Sequence, residues 1–176
     1  MLKKLRTDLP RYRRFSVTDG EVTWTDTRTL ADVWRADGPD RDVAILLGCS
    51  FGFEDALIDA GLVPRQIEEG VNVPMYRTDR ELIGVGPFGG HLVVSMRPIP
   101  VERVEEARAL TESRVAAHGA PIHVGDPAAL GIVDIAAPDF GDAVTIREGE
   151  VPVFWACGVT SQVALEAALR SGAVER

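Results

Sequence analysis

Histidine and cysteine are scarce in this chain, with three of the first and two of the second in 176 residues. No Cys-x-x-Cys or His-Glu-x-x-His spacing occurs, which excludes the compact ligand patterns of common zinc sites. Basic residues are outnumbered 19 to 27, for a formal net charge of -8. A nucleic-acid groove needs clustered Lys and Arg to neutralise phosphates, so no nucleic-acid partner is expected. No run of 18 apolar residues occurs, so neither a transmembrane helix nor a membrane partner is expected. Lys3, Lys4 and Arg6 lead into polar sequence without the apolar stretch of a secretory signal. The two cysteines, Cys49 and Cys157, then read as a reduced pair in a cytoplasmic protein. The acidic excess aids solubility and names no substrate.

What is present is ample core material: 45% of residues are hydrophobic and 26% charged, in a chain the size of one domain. Val43 to Leu47 (VAILL) has the form of a strand buried on both faces. Gly48-Cys49-Ser50 follows as a turn, and Phe51 to Gly61 has helical spacing with glycine as its stop. The same pattern recurs near the C-terminus. Val151 to Ala156 reads as a strand, Cys157-Gly158-Val159-Thr160 as a turn, and Ser161 to Arg170 as a helix. Both cysteines thus fall between a strand end and a helix N-terminus.

Between these units, 21–24, 71–76, 90–96, 120–124 and 131–135 read as strands. Val101 to Val115 reads as an amphipathic helix with Val101 and Val104 on its inner side. Alternating strands and helices predict an α/β class with a parallel or mixed sheet. The whole chain, 1–176, is expected to form one α/β domain, with a two-layer lobe inserted at about 66–117.

In open α/β sheets ligands collect at strand carboxyl ends, where helix N-termini offer unpaired N–H groups to a carboxylate or phosphate. Ser50, Gly158 and Thr160 therefore become candidate substrate-binding residues. The plainer alternative is that the hydroxyls cap helices and the cysteines fill apolar gaps. A thiol at a helix N-terminus is expected to be more acidic than usual, which makes Cys49 and Cys157 candidate nucleophiles. Asn72, Tyr76 and Arg77 gather an amide, a phenol and a guanidinium within six residues, and Arg97 ends a strand with a group shaped to grip a carboxylate. Each arginine could equally serve a surface ion pair. His118, His123 and Asp126 could gather two imidazoles and a carboxylate, although the two histidines would point to opposite faces of a strand.

The segments GCSFGFEDAL, NVPMYRTD, GPFGGHLVVSMRP, HGAPIHVGDP, PDFGDAV and GEVPVFWACGVTSQ, in this order and with RTDLPRYR ahead of them, resemble the bacterial D-glutamate cyclase-like family, whose members carry hydro-lyase names by similarity. The likeness runs from about Arg6 to Gln162. It implies a three-layer α/β sandwich around a mixed sheet with a smaller two-layer α/β lobe. Family members have a further N-terminal segment that this chain is expected to lack. The implied activity is loss of water from a small amino or hydroxy diacid, above all cyclisation of D-glutamate to 5-oxo-D-proline. Closing that lactam needs a base for the ammonium, an acid for the leaving hydroxyl and donors for the developing oxyanion. Glu54, His123, Asp126 and Asp142 are the acid/base candidates, and Arg97 or Arg77 the clamp for the second carboxylate. The cofactor is left open, and a divalent metal could share the work. The expected partner is a small carboxylate substrate, and self-association into a homo-oligomer is compatible with the sequence. The rival readings are a non-catalytic binding protein for a small carboxylate or amino acid, and thiol-dependent acyl transfer through Cys49 or Cys157.

Overall fold

A strand reading HLVVSMRPIP has apolar residues on both of its faces, which suits the centre of a sheet covered on two sides. In the computed structural model, which describes residues 12–18, 21–28 and 47–172, this segment is β4 (His91–Pro100), buried along most of its length. The chain divides into two compact units, one of residues 47–165, the other drawing on the first 46 residues and the stretch from Glu166. In the second unit, β1 (Tyr12–Thr18) and β2 (Glu21–Thr27) form an antiparallel hairpin, with Arg13 paired to Asp26 at 3.1 Å. The expected strand at 43–47 lies outside the described residues except for Leu47, which has no regular structure.

The larger unit begins with α1 (Phe51–Asp59) and the short α2 (Arg65–Glu69), followed by β3 (Met75–Glu81), β4, and α3 (Val104–Glu112). Then come β5 (His123–Val124), β6 (Glu150–Ala156) and the start of α4 (Val159–Arg170), whose residues from Glu166 are counted with the other unit. The four strands form one sheet in the order β3-β4-β6-β5. Helices and sheet together bear out the α/β class. The parallel or mixed sheet is corrected, because every described pairing is antiparallel. A parallel pair needs a crossover of a dozen or more residues, whereas β3 and β4 are joined directly by the turn at 82–90. β4 and β6 pair over seven positions, from Val94 opposite Ala156 to Pro100 opposite Glu150. Segment 66–117 therefore shares its sheet with segment 150–156.

Other boundaries moved for local reasons. β3 starts after Pro74, which has no N–H to offer a ladder. The helix expected at 101–115 opens as a 3₁₀ turn, Val101–Arg103, and Val101 is exposed rather than inward. Residues 131–135 form no strand, and of 120–124 only His123 and Val124 pair.

Alternation along β4 divides the core. Ile99, with Val153 and Trp155 of β6, packs against Phe53 and Leu57 of α1 and Val104 and Ala107 of α3. Phe53 and Trp155 stack obliquely with ring centres 5.2 Å apart. The Trp155 indole N–H donates to Thr111 Oγ1 at 3.2 Å, so its polar edge is satisfied within the core. The opposite face holds Tyr76, Val94, Met96 and Phe154 under Leu130 and Ile132. Among the described residues, no helix is long and apolar enough to cross a membrane.

Tyr76, a substrate-binding candidate on sequence, is a core residue here. Its hydroxyl donates to the Ile135 carbonyl at 2.7 Å. Burial, then the charges of Asp134 and Asp139, push its pKa up from 10.0 to about 12. A phenol raised in the folded state contributes stability that is fully present below pH 10 and lost as pH rises toward 12. Denaturant titrations should accordingly show up to about 2 kcal/mol lost across that interval, and Tyr76→Phe should flatten this part of the profile. An unchanged profile in the variant would sink the assignment.

Candidate functional site

α1 opens directly from Gly48-Cys49-Ser50, and α4 opens from Cys157-Gly158 at the end of β6. These two turns touch. A Cβ on Gly158 would stand 3.3 Å from the Gly48 carbonyl oxygen, and one on Gly48 would stand 1.6 Å from that of Ala116. At Gly48 only glycine allows so close an approach, whereas a Cβ on Gly158 would be tight. Between the turns lies a cavity of about 300 Å³, lined by Cys49, Ser50, Phe51, Asn72, Val73, Met75, Cys157, Gly158, Val159 and Gln162 with Leu47 and Gly48. A second cavity of about 460 Å³ shares Leu47, Gly48, Cys157 and Gly158, and extends to Leu82, Leu92, His118, Thr160 and Ser161.

Behind Ser50 stands a buried polar cluster. Arg97 is fully buried, with Ser95 beside it on the same face of β4, and Glu54 descends from α1. The Arg97 guanidinium donates through Nε to Glu54 Oε1 at 2.9 Å, and its Nη2 reaches the same oxygen. It also donates to Ser95 Oγ at 3.1 Å and to Ser50 Oγ at 3.2 Å. Gln66 Nε2 adds a third donor to Glu54 Oε1 at 2.7 Å. The guanidinium is flanked by the Phe53 and Trp155 rings, 5.0 and 5.6 Å from their centres. Burial pulls the Arg97 pKa down, while Glu54 holds it up.

Both cysteines are free thiols, Cys49 exposed and Cys157 buried. The expectation of an unusually acidic thiol is corrected for Cys157, whose pKa is raised. Burial is the dominant cause and outweighs the N–H groups of Val159 and Gly158 and the Arg97 charge, which pull the other way. Its sulfur rests 3.4 Å from that of Met75 in an apolar cluster with Val73 and Val93. The hydroxyls divide in role. Thr160 Oγ1 is tied to the Val93 backbone at 3.0 and 3.1 Å, whereas Ser50 makes no side-chain cap and turns to Arg97.

The structure brings Cys49, Ser50, Asn72, Cys157 and Gly158 to the first cavity, places Thr160 on the second, and sets Glu54 and Arg97 behind Ser50. Other candidates stand elsewhere. Arg77 is exposed, 3.8 Å from Asp139 and over the Phe140 ring. His123 Nε2 is 2.8 Å from the Asp126 carbonyl, and the Asp126 carboxylate accepts from the Ala128 N–H at the start of a 3₁₀ turn. Asp142 braces the cavity rim by accepting from the Asn72 N–H at 2.9 Å. Among the described residues, no three His, Cys, Asp or Glu side chains gather as a metal-binding group. Sequence reasoning passed over Ser95 and Gln66 because nothing in their spacing reveals a partnership with Glu54 across the fold.

Fold and cavity define an α/β protein with a small-molecule-sized pocket at the junction of two helix N-termini. The chain belongs to the D-glutamate cyclase family, whose model matches residues 43–174. A protein of Mycolicibacterium gilvum (strain PYR-GCK) named "Putative hydro-lyase" is 55% identical over 161 residues, 92% of this chain and 59% of its own length. One so named from Pseudomonas syringae pv. tomato (strain ATCC BAA-871 / DC3000) is 51% identical over 163 residues, 93% of this chain and 59% of its own. "Putative hydro-lyase RBAM_004300" of Bacillus velezensis (strain DSM 23117 / BGSC 10A6 / LMG 26770 / FZB42) is 52% identical over 163 residues, 92% of this chain and 58% of its own. The chain thus spans about three fifths of the length of the curated relatives it matches.

Proposed function

We propose that this chain builds a hydro-lyase site for a small amino or hydroxy diacid, and that its reaction is the cyclisation of D-glutamate to 5-oxo-D-proline with loss of water. One observation carries this reading: two helix N-termini converge on one cavity of about 300 Å³. That volume is at the small end of ligand pockets, suited to a metabolite rather than a polymer. Ser50, Phe51, Gly158 and Val159 all line it; the N–H groups of Gly158 and Val159 face the Cys157 sulfur, while those of Ser50 and Phe51 stand ahead of the intrahelical bonds of α1. Such groups bind a carboxylate, and they stabilise the oxyanion that grows on the γ-carboxyl carbon as the amine attacks.

Arg97 is a positioning residue in this scheme. Its donors are taken by Glu54, Ser95 and Ser50, so it sets the Ser50 hydroxyl at the cavity wall rather than gripping substrate. With an acceptor lone pair of Ser50 occupied by Arg97, its proton can point toward a substrate oxygen. Family membership supports the loss of water, and the apolar walls of Val73, Met75 and Val159 support a dry site.

The test is formation of 5-oxoproline from D-glutamate by purified protein, with L-glutamate and hydroxy diacids alongside, and with divalent metals added and omitted. Release of 5-oxoproline from D-glutamate is expected. Thermal stabilisation by the diacids without turnover would replace this reading with that of a small-carboxylate binding protein. Neither turnover nor stabilisation would end both.

A further inference from the structure

Two side-chain amides, Asn72 and Gln162, line the cavity between the helix N-termini. They differ in freedom. Gln162 is exposed in the first turn of α4, and its side chain makes no hydrogen bond among the described residues. Asn72 is held at three points. Its Oδ1 accepts from the Val73 N–H at 3.0 Å, and its own N–H donates to the Asp142 carboxylate at 2.9 Å. Its carbonyl accepts from the Asp142 N–H at 3.2 Å.

The backbone builds this brace. Segment 139–142 runs beside 72–75, where Met75 and Phe140 exchange two backbone hydrogen bonds of 2.9 and 3.1 Å. Between them and the Asn72–Asp142 pair, a Cβ on Gly141 would stand 2.0 Å from the Val73 carbonyl oxygen. Gly141 also has φ +74°, so both its conformation and its closeness to Val73 call for glycine. Asp142 is thus brought to Asn72 by the path of the chain, and its carboxylate is spent on the cavity rim.

An amide pinned in this way has a polarity. Only its oxygen can accept the Val73 N–H, so the group cannot be turned the other way, and the end left over is an NH2 that donates and does not accept. Asn72 is exposed on the cavity wall, where a ligand can reach that NH2. A donor suits a carboxylate or carbonyl oxygen and offers nothing to an ammonium. We infer that Asn72 is a specificity-determining residue of this site, its NH2 donating to an oxygen of the bound diacid, with Asp142 as the residue that positions it. The inference rests on the reading proposed above and deepens it, because it turns the acid end of the ligand toward Asn72 and the amine away. D-Glutamate presents a carboxylate there, and 5-oxo-D-proline presents its carboxylate or its lactam carbonyl, so substrate and product satisfy the same donor.

The experiment compares Asn72→Ala, Asn72→Asp and Gln162→Glu. Asn72→Asp keeps an acceptor for the Val73 N–H and exchanges the NH2 for an anionic oxygen of nearly the same shape. Gln162→Glu adds the same charge to the same cavity at a side chain free to turn into solvent, where it is screened. Binding of D-glutamate, 5-oxo-D-proline and a hydroxy diacid is measured by calorimetry, with thermal unfolding alongside to set apart a folding defect. Asn72→Ala should bind about 10- to 100-fold more weakly, the range for a hydrogen bond to a charged group. Asn72→Asp should be weaker still, and Gln162→Glu should stay within roughly three-fold of wild type. Asp142→Ala should weaken binding alone yet add little to Asn72→Ala, because it acts through that residue. Equal losses in Asn72→Asp and Gln162→Glu would reveal a general charge effect and overturn the inference. So would binding by Asn72→Ala within about three-fold of wild type; in both cases formation of 5-oxoproline would leave the cyclase reading standing. Diacid binding in the expected variant order without turnover supports the inference while the cyclisation falls. Absence of any binding to the wild-type chain overturns it.

Discussion

Replacing Arg97 with methionine should cost about 3–5 kcal/mol of stability, one of the two largest single-residue effects expected in this fold. The reason is what would be left behind. Glu54 is 7% exposed and accepts three donors on one carboxylate oxygen, two from Arg97 and one from Gln66. Without the guanidinium, a buried carboxylate keeps one neutral donor and no counter-charge. The double variant Arg97→Met/Glu54→Leu removes both charges and should recover most of the loss, because exchanging a buried ion pair for apolar groups of similar size is often close to neutral. Urea titrations with unchanged slopes would read both numbers. A loss below about 1 kcal/mol in the single variant would mean that the pair is not the internal tie described here. The double variant should fold but lose the donor that orients Ser50, so stability and turnover should separate.

The second large effect is expected at Gly48. A Cβ there would lie 1.6 Å from the Ala116 carbonyl oxygen and 2.9 Å from its carbon. Both atoms are backbone, so no side chain can swing away. Gly48→Ala must part the turn before α1 from the segment before His118, at about 3 kcal/mol or more. Gly61→Ala is the control. Gly61 has φ +73° but nothing within 4 Å of an added Cβ, so it carries only conformational strain of about 1–2 kcal/mol. Thermal unfolding should rank Gly48→Ala clearly below Gly61→Ala, and diacid binding should weaken only in the former. Equal effects would show that the contact between the two segments is not what holds the cavity open.

Both variants strike one assembly from different sides. Arg97 and Glu54 hold Ser50 from behind, while Gly48 against Ala116 holds the turn from the flank. The resulting pocket is edged by the Gly48 and Gly158 turns and walled by side chains that include Phe51, Val73, Met75 and Val159.

Much of this was legible in the chain itself. Turn glycines, helical spacing at 51–61 and an apolar strand at 151–156 are local properties, and the elements formed where local chemistry placed them. The position of a pocket beside Cys49 and Cys157 followed from the rule that strand ends and helix N-termini make anion sites. Strand direction was not local. Alternation of strands and helices suggested parallel pairing, yet β3, β4, β6 and β5 pair antiparallel, β3 and β4 through the direct turn at 82–90 and β4 with β6 across a connection that includes α3.

Side-chain roles were the least legible. Tyr76 and Arg77 looked alike as ligand groups, but strand register buries one and exposes the other. Cys157 looked acidic from its helix terminus, and burial reversed the sign. Arg97 was recognised as a carboxylate grip, but its carboxylate is Glu54, 43 residues away in the chain. His118 was read together with His123 and Asp126, but the fold sets it on the second cavity while His123 stands against the Asp126 carbonyl. The sequence by itself determined elements such as the helix from Phe51 and the strand to Ala156, because those depend on residues near one another in the chain. Tertiary structure alone decided which polar groups are spent on one another and which remain for a ligand, because burial and partnership are set by segments distant in sequence.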